Sequence, residues 1–225
     1  LIEARPKSGY YVRFRPRRSA PAPRSPKLPA PAEGLSVDDM IAAVYANLTE
    51  AGVVQLSLAA PGYELLPAAK LNKCMLEVLR NSPTNCLHYE NISGHPELRQ
   101  QLARLAFNWG GTGTADDVVV TQGCMEALSF CLQAVTQPGD TVAIERPTYF
   151  GIFGLLKNLG LRALEVPTDP VTGPDLDFLR RAVRERQFSA ALFVPNFNNP
   201  LGSLMPEAHK QELVTMLAEQ EIPLV

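Results

Sequence analysis

Two hydrophobic periods alternate along the chain from residue 116 onward. Short apolar runs, as at residues 118–120, predict buried strands, and apolar residues spaced three or four positions apart, as in Met125, Leu128 and Leu132, predict helices with one buried face. The same patterns predict strands over 141–145, 163–166, 190–194 and up to 225, and helices over about 149–158, 175–185 and 207–219. This alternation is typical of an α/β fold, in which helices cover both faces of a mainly parallel sheet.

The N-terminal part of the chain shows neither period. Six prolines deny a helix to residues 16–34, whose small and basic residues are typical of an extended linker. A capping pattern near Ser36 then predicts the first helix of a folded domain. The chain opens without an initiator methionine and closes on an apolar run, so we expect a segment of a longer protein. The predicted parts are residues 1–15, the linker 16–34 and a folded domain over 35–225.

Composition excludes several classes of protein. Hydrophobic residues make up 46% of the chain and charged residues 20%, which is ordinary for a globular protein. No run approaches the roughly 18 apolar residues that a membrane helix needs. Charges at Glu3, Arg5 and Lys7 argue against a signal peptide, so we expect no membrane association and a cytoplasmic protein. The four cysteines form no CxxC pair and have no histidine cluster beside them, which favours reduced thiols over a metal site.

Charge is distributed unevenly. The net charge is −2, yet eight lysines and arginines lie among the first 27 residues against a single acidic residue, Glu3. A basic end on an acidic remainder indicates contact with a polyanion at that end. A solvated linker that binds nothing explains the same charges, and charge alone does not decide between the two.

Three candidate sites follow predicted strands, where ligands bind in parallel sheets. Gly123 lies in a strand-to-helix turn whose free N–H groups suit a phosphate, although a tight turn alone also explains this glycine. Tyr149 offers a face for stacking on a planar ring, or it packs at a helix start. Asn199 lies between two prolines in a polar loop, where its amide either binds a ligand oxygen or satisfies the turn itself.

Together these segments resemble the class I/II, fold-type-I aminotransferases. The matching segments occur in family order over residues 63–225: HYENISGHPELR, VVVTQGCMEAL, PGDTVAIERPTY, VPTDPVTGPDLDFL and PNFNNPLG. The resemblance implies the fold of those enzymes and their cofactor, pyridoxal 5′-phosphate (PLP).

The resemblance also implies a role for each matched residue. Tyr149 would stack on the pyridine ring, and Asn199 would donate a hydrogen bond to the phenolic oxygen. Tyr89 would reach the phosphate of the cofactor in a neighbouring subunit, which implies a homodimer. Cys124 and Met125 supply no hydroxyl where family members often have serine or threonine. The backbone N–H groups that would bind the PLP phosphate belong to Gly123, Cys124 and Met125.

The family's Schiff-base lysine is not found in a matching motif. It follows the N-P-x-G loop in family members, as does the aspartate that pairs with the pyridine nitrogen, and the chain stops before either position. Whether transamination survives is therefore open, and no catalytic residue is assigned within this segment. The lysines outside matching motifs are Lys70, Lys73, Lys157 and Lys210.

A second resemblance concerns residues 1–12, LIEARPKSGYYV, which look like the last wing of a GntR-family winged helix with its hairpin tip at residues 7–10. A wing, a linker and an aminotransferase-like domain in this order resemble the MocR-type transcription regulators. That resemblance implies a winged helix that binds DNA and a second domain that senses PLP or an amine adduct. Two other interpretations are a plain aminotransferase that acts on an amino acid or amine, and a degenerate domain that only dimerises.

Overall fold

The fold was derived from a computed structural model, in which the chain divides into two units, Leu1–Val37 and Asp38–Val225. Every structural statement below refers to the residues that the structure describes, which are 2–5, 9–12, 39, 42, 60–81 and 87–225. The predicted linker lies outside them. The helix predicted near Ser36 lies outside them too, apart from Asp39 and Ala42, which are both helical.

In the first unit, β1 (Ile2–Arg5) pairs with β2 (Gly9–Val12) in an antiparallel hairpin. The predicted pair of short strands is therefore confirmed. The predicted tip, residues 7–10, overlaps this second strand, because Gly9 and Tyr10 belong to β2, with Arg5 opposite Gly9.

In the second unit, helices precede the sheet. A 3-10 turn (Tyr63–Leu65) leads to α1 (Ala68–Asn81), and α2 (Pro96–Asn108) follows. Neither α1 nor α2 has a buried residue, so both leave apolar side chains exposed. The most exposed of these side chains on the two helices include Leu71, Met75, Leu76, Val78, Leu79, Leu98, Leu105 and Phe107.

A four-stranded sheet forms the centre of the second unit, with the strand order β5-β4-β3-β6. Strand β3 pairs in parallel with both β4 and β6, and β5 pairs with β4 in antiparallel orientation. Leu224 extends the sheet through a parallel bridge to Ala191, where a last strand was expected. The mainly parallel sheet is thus confirmed. The strands are β3 (Thr141–Arg146), β4 (Arg162–Asp169), β5 (Gly173–Pro174) and β6 (Ala190–Leu192).

Helices cover both faces of this sheet. One apolar cluster joins Ala143, Val166 and Ala191 to α5 and α6, and the other joins Val142 and Ile144 to α3 and α4. Successive residues of β3 thus point to opposite faces, as the pleat requires. Each helix lies within a few residues of its predicted bounds, and none in the described ranges is long and apolar enough to cross a membrane. The helices are α3 (Cys124–Val135), α4 (Gly151–Asn158), α5 (Leu176–Arg184) and α6 (Glu207–Ala218).

Residues 118–120 do not form the strand that their apolar run predicts. Val118 has extended backbone, with φ −105° and ψ 125°, but no described strand pairs with this segment. Two contacts hold it instead: Val120 N–H donates to Ser93 O at 3.0 Å, and Arg99 Nε donates to Val118 O at 2.9 Å. Val119 remains 63% exposed. The prediction was wrong because a strand requires a hydrogen-bonded partner as well as an extended backbone.

Candidate functional site

The carboxyl ends of β3 and β6 lead into two of the candidate segments. Because β3 and β6 are parallel neighbours, the segments that leave them start at the same edge of the sheet. Tyr149 lies three residues beyond the end of β3, and Asn199 lies in the loop that follows β6. The two are thereby brought to one edge, as expected from parallel strands.

Gly123 is the N-cap of α3 and has a backbone φ of 102°, which residues other than glycine rarely adopt. No side chain caps this helix end, and no atom lies within 4 Å of the position that a Cβ would take at Gly123. The first N–H groups of a helix, here those of Cys124 and Met125, have no acceptor within the helix. Gln122 N–H is already bound by the Glu126 carboxylate at 2.6 Å. The space beside Gly123 is therefore empty, and the Glu126 carboxylate lies at the same end of the helix.

Tyr149 is half-buried and packs against the apolar cluster that contains Leu128 and Leu132 of α3. Its ring centroid lies 4.6 Å from that of Phe150, with the two planes tilted by 47°. Gly151 is required beside it, since a Cβ there would lie 2.4 Å from Tyr149 Cε1. The tyrosine therefore packs on the same apolar cluster as α3, the helix whose N-cap is Gly123.

The loop that carries Asn199 folds back on itself. Met205 N–H donates to Pro195 O at 2.8 Å, and Asn198 N–H donates to Ser203 O at 3.2 Å. Asn198 is buried, with 2% of its surface exposed, whereas Asn199 is exposed. The side chain of Asn199 is therefore available to a ligand, and that of Asn198 supports the loop from within.

Glu145 connects this loop to β3. It is 1% exposed, and its Oε2 accepts a hydrogen bond of 3.0 Å from Val194 N–H, at the start of the loop. Burial raises the pKa of Glu145, while the Val194 N–H and the Asn198 amide act in the opposite direction. Glu145 Oε1 and Asn198 Nδ2 are both buried without completing a hydrogen bond. An acceptor of Glu145 and a donor of Asn198, the residue before Asn199, thus remain available in the interior.

Tyr89 stands apart from the other candidates. Its side chain is fully exposed, and its predicted contact is with a neighbouring subunit, which a single chain does not test. The other five predicted residues, Gly123, Cys124, Met125, Tyr149 and Asn199, lie on the three segments described above.

Sequence reasoning missed two residues of this arrangement. Glu145 and Asn198 each lay within a matched segment, but neither received a role. A signal was present for Glu145: a central parallel strand is buried on both faces, so a glutamate that continues its apolar run is buried too. Nothing in the sequence distinguished Asn198 from Asn199.

Comparisons with known proteins fit this geometry. The family model described as aminotransferase class I and II matches residues 52–225. Two proteins of Escherichia coli strain K12 described as uncharacterized HTH-type transcriptional regulators are similar over nearly the whole chain: YjiR, 33% identical over 99% of it, and YdcR, 34% identical over 100%. The chain covers 47% of each, so it spans about half the length of these relatives.

A solved structure is similar in fold and in sequence. It is that of LysN, an α-aminoadipate aminotransferase from Thermus thermophilus, complexed with N-(5′-phosphopyridoxyl)-L-leucine. The TM-score is 0.65 and the identity 29%, over 73% of this chain and 41% of that one. The fold of the second unit is therefore that of PLP-dependent aminotransferases.

Proposed function

The chain belongs to the aminotransferase class I and II family, and from this premise we propose that it is part of a MocR-type, DNA-binding transcription regulator. Its aminotransferase-like domain binds PLP as an effector or sensor and dimerises. The DNA-binding winged helix lies largely upstream, with residues 1–15 as its end and 16–34 as the linker. A cytoplasmic location agrees with a DNA partner.

One observation carries this proposal. The family model begins at residue 52, whereas the two regulators match 99% and 100% of the chain. Similarity to the regulators therefore extends over the basic N-terminal segment, which the aminotransferase model does not include. The antiparallel hairpin at residues 2–12 supports the same interpretation, because a wing consists of two such strands.

The residues present fit PLP. An open, uncapped helix N-terminus at Gly123 suits the phosphate, and the backbone N–H groups of Cys124 and Met125 would bind it. Tyr149 would stack on the ring, and the exposed amide of Asn199 would donate to the phenolic oxygen. When bound, PLP supplies an aldehyde that reacts with amines and a ring that withdraws electrons. These contacts fix the cofactor's position and orientation.

The fully exposed Tyr89 supports the dimer. A tyrosine that is 105% exposed gains no stability from its own chain, and in the proposed homodimer it would contact the phosphate in the neighbouring subunit. PLP binding and dimerisation would then depend on each other, since each phosphate site would contain residues of both subunits.

The alternative function is that of a PLP-dependent aminotransferase acting on an amino acid or amine. The likeness to the T. thermophilus aminotransferase favours it, because both chains share the fold that carries the cofactor. DNA binding by the full-length protein separates the two functions, since only the regulator requires it.

The test is operator binding by the full-length protein at several salt concentrations. Neutralising Arg15, Arg17 and Arg18 should weaken binding and flatten the salt dependence, by about one in slope for each phosphate that is no longer bound. The matched control neutralises three exposed arginines of the second unit and should leave the slope unchanged. An unaltered slope in the first variant would reduce the basic segment to a passive tether, and no DNA binding by the wild type would contradict the proposal. The control residues are Arg104, Arg162 and Arg184.

A further inference from the structure

Two buried polar side chains, Glu145 near the carboxyl end of β3 and Asn198 in the loop after β6, take no part in the proposed contacts with the cofactor. Glu145 and Asn198 are buried at 1% and 2% exposure, and Glu145 Oε1 and Asn198 Nδ2 complete no hydrogen bond of standard geometry, although the Asn198 amide lies near enough to Glu145 to lower the pKa of its carboxyl. Burying a charged or polar group without a complete set of hydrogen bonds costs free energy. Stability alone therefore does not account for a carboxylate at this position.

The remaining atoms of the two side chains are committed to the backbone of one loop. Glu145 Oε2 accepts from Val194 N–H at 3.0 Å, and Asn198 Oδ1 accepts from Leu201 N–H at 3.3 Å. These bonds lie on either side of Asn199 in the sequence. They also fix the amide of Asn198 in one orientation, so that its oxygen is occupied and its nitrogen is the group left to donate.

We propose that Glu145 and Asn198 form a donor–acceptor pair that positions Asn199 for its contact with the cofactor. Glu145 is a positioning residue, since it acts through the loop and touches no ligand. It also lies four residues before Tyr149, so one carboxylate links the two segments that would hold the PLP ring. This inference rests on the proposed function, because the contact of Asn199 is with PLP.

Reversing the donor and the acceptor tests the pair. In Glu145→Gln, a side-chain oxygen still accepts from Val194 N–H, but an amide donor then faces the Asn198 donor. In Asn198→Asp, an oxygen still accepts from Leu201 N–H, but two acceptors face each other. The double variant restores one donor and one acceptor, in the opposite sense, without altering either backbone bond.

The measurement is PLP dissociation from the full-length protein, followed by the absorption of the bound cofactor. Each single variant should raise the dissociation constant about tenfold, which is about 1.4 kcal/mol, and shift the absorption. The double variant should return the constant to within about threefold of wild type. The control is Glu165→Gln on the neighbouring strand β4, where the carboxylate is 41% exposed and pairs with Arg146; it should bind PLP as wild type does.

Two results would overturn the inference: single variants that bind PLP as wild type does, or losses that simply add in the double variant. Hydrogen exchange of residues 194–204 in the cofactor-free protein gives a second readout. It should rise in each single variant and fall again in the double variant. If wild type itself fails to bind PLP, the proposed function fails, and exchange still tests the pair. If a single variant does not fold, an unfolded double variant overturns the pairing and a folded one supports it.

Discussion

Replacing Gly94 by alanine tests the close contact that holds residues 118–120 in place. A Cβ at Gly94 would lie 2.5 Å from Val120 Cβ and 2.6 Å from Val120 Cγ2, and the backbone has a φ of 98°. The positive φ costs an alanine roughly 1–2 kcal/mol. Overpacking against Val120 adds roughly 1–3 kcal/mol. We therefore expect Gly94→Ala to lower the free energy of unfolding by roughly 2–5 kcal/mol in total.

The assay compares this variant with Gly139→Ala in denaturant unfolding of the full-length protein. Gly139 has nearly the same φ, 96°, but no atom lies within 4 Å of its Cβ position. The control therefore carries the backbone cost alone, and the difference between the two variants measures the contact with Val120. Gly94→Ala should also weaken PLP binding, because Val120 leads directly into the turn at Gly123. Equal destabilisation by the two substitutions would refute the steric argument.

Three further predictions concern the cofactor and the buried carboxyl. In the full-length protein, Asn199→Ala should weaken PLP binding through the loss of a hydrogen bond of about 1 kcal/mol. Tyr149→Ala should weaken PLP binding because ring stacking is removed. If both variants bound PLP with wild-type affinity and absorption, the assignment of these two residues would be wrong. Because burial raises the pKa of Glu145 above its usual 4.5, the carboxyl of Glu145 stays protonated to a higher pH in the folded state than in the unfolded state. The free energy of unfolding should therefore fall as the pH rises above 4.5. A Glu145→Gln variant whose free energy of unfolding falls with pH as steeply as that of the wild type would contradict this. The PLP-loaded full-length protein can be reduced with borohydride and its labelled peptides mapped. We expect no stoichiometric label on any of four lysines of this segment. Such a label on one of them would show that the Schiff-base lysine lies here. They are Lys70, Lys73, Lys157 and Lys210.

The sheet could be predicted from the sequence because its central strands are buried on both faces. Residues 142–144 are fully buried between the two clusters, so the strand appears in the sequence as an unbroken apolar run. The same reasoning failed at residues 118–120. An apolar run predicts burial and an extended backbone, but pairing depends on a strand elsewhere in the chain, and no described strand provides it.

The candidate site could also be predicted only in part. Gly123, Tyr149 and Asn199 could be proposed from the sequence because each follows a predicted strand and matches a family motif. The roles of Glu145 and Asn198 could not, since they depend on a contact between residues about 50 positions apart in sequence. Local patterns also do not determine which of two neighbouring asparagines enters the interior; that is decided by the hydrogen bond from Asn198 N–H to Ser203 O and by the packing of the whole loop.

The separation between Glu145 and Val194 has a consequence for the order of folding. The two residues are 49 positions apart, so at about 5–20 residues per second the backbone partner of the carboxylate leaves the ribosome roughly 2–10 s after it. Until then β3 can pair with β4, but its other edge is unpaired and Glu145 remains hydrated. Closure of the 194–205 loop over that carboxylate is therefore a late event in folding. Substitutions at Glu145 should change the rate of unfolding far more than the rate of folding.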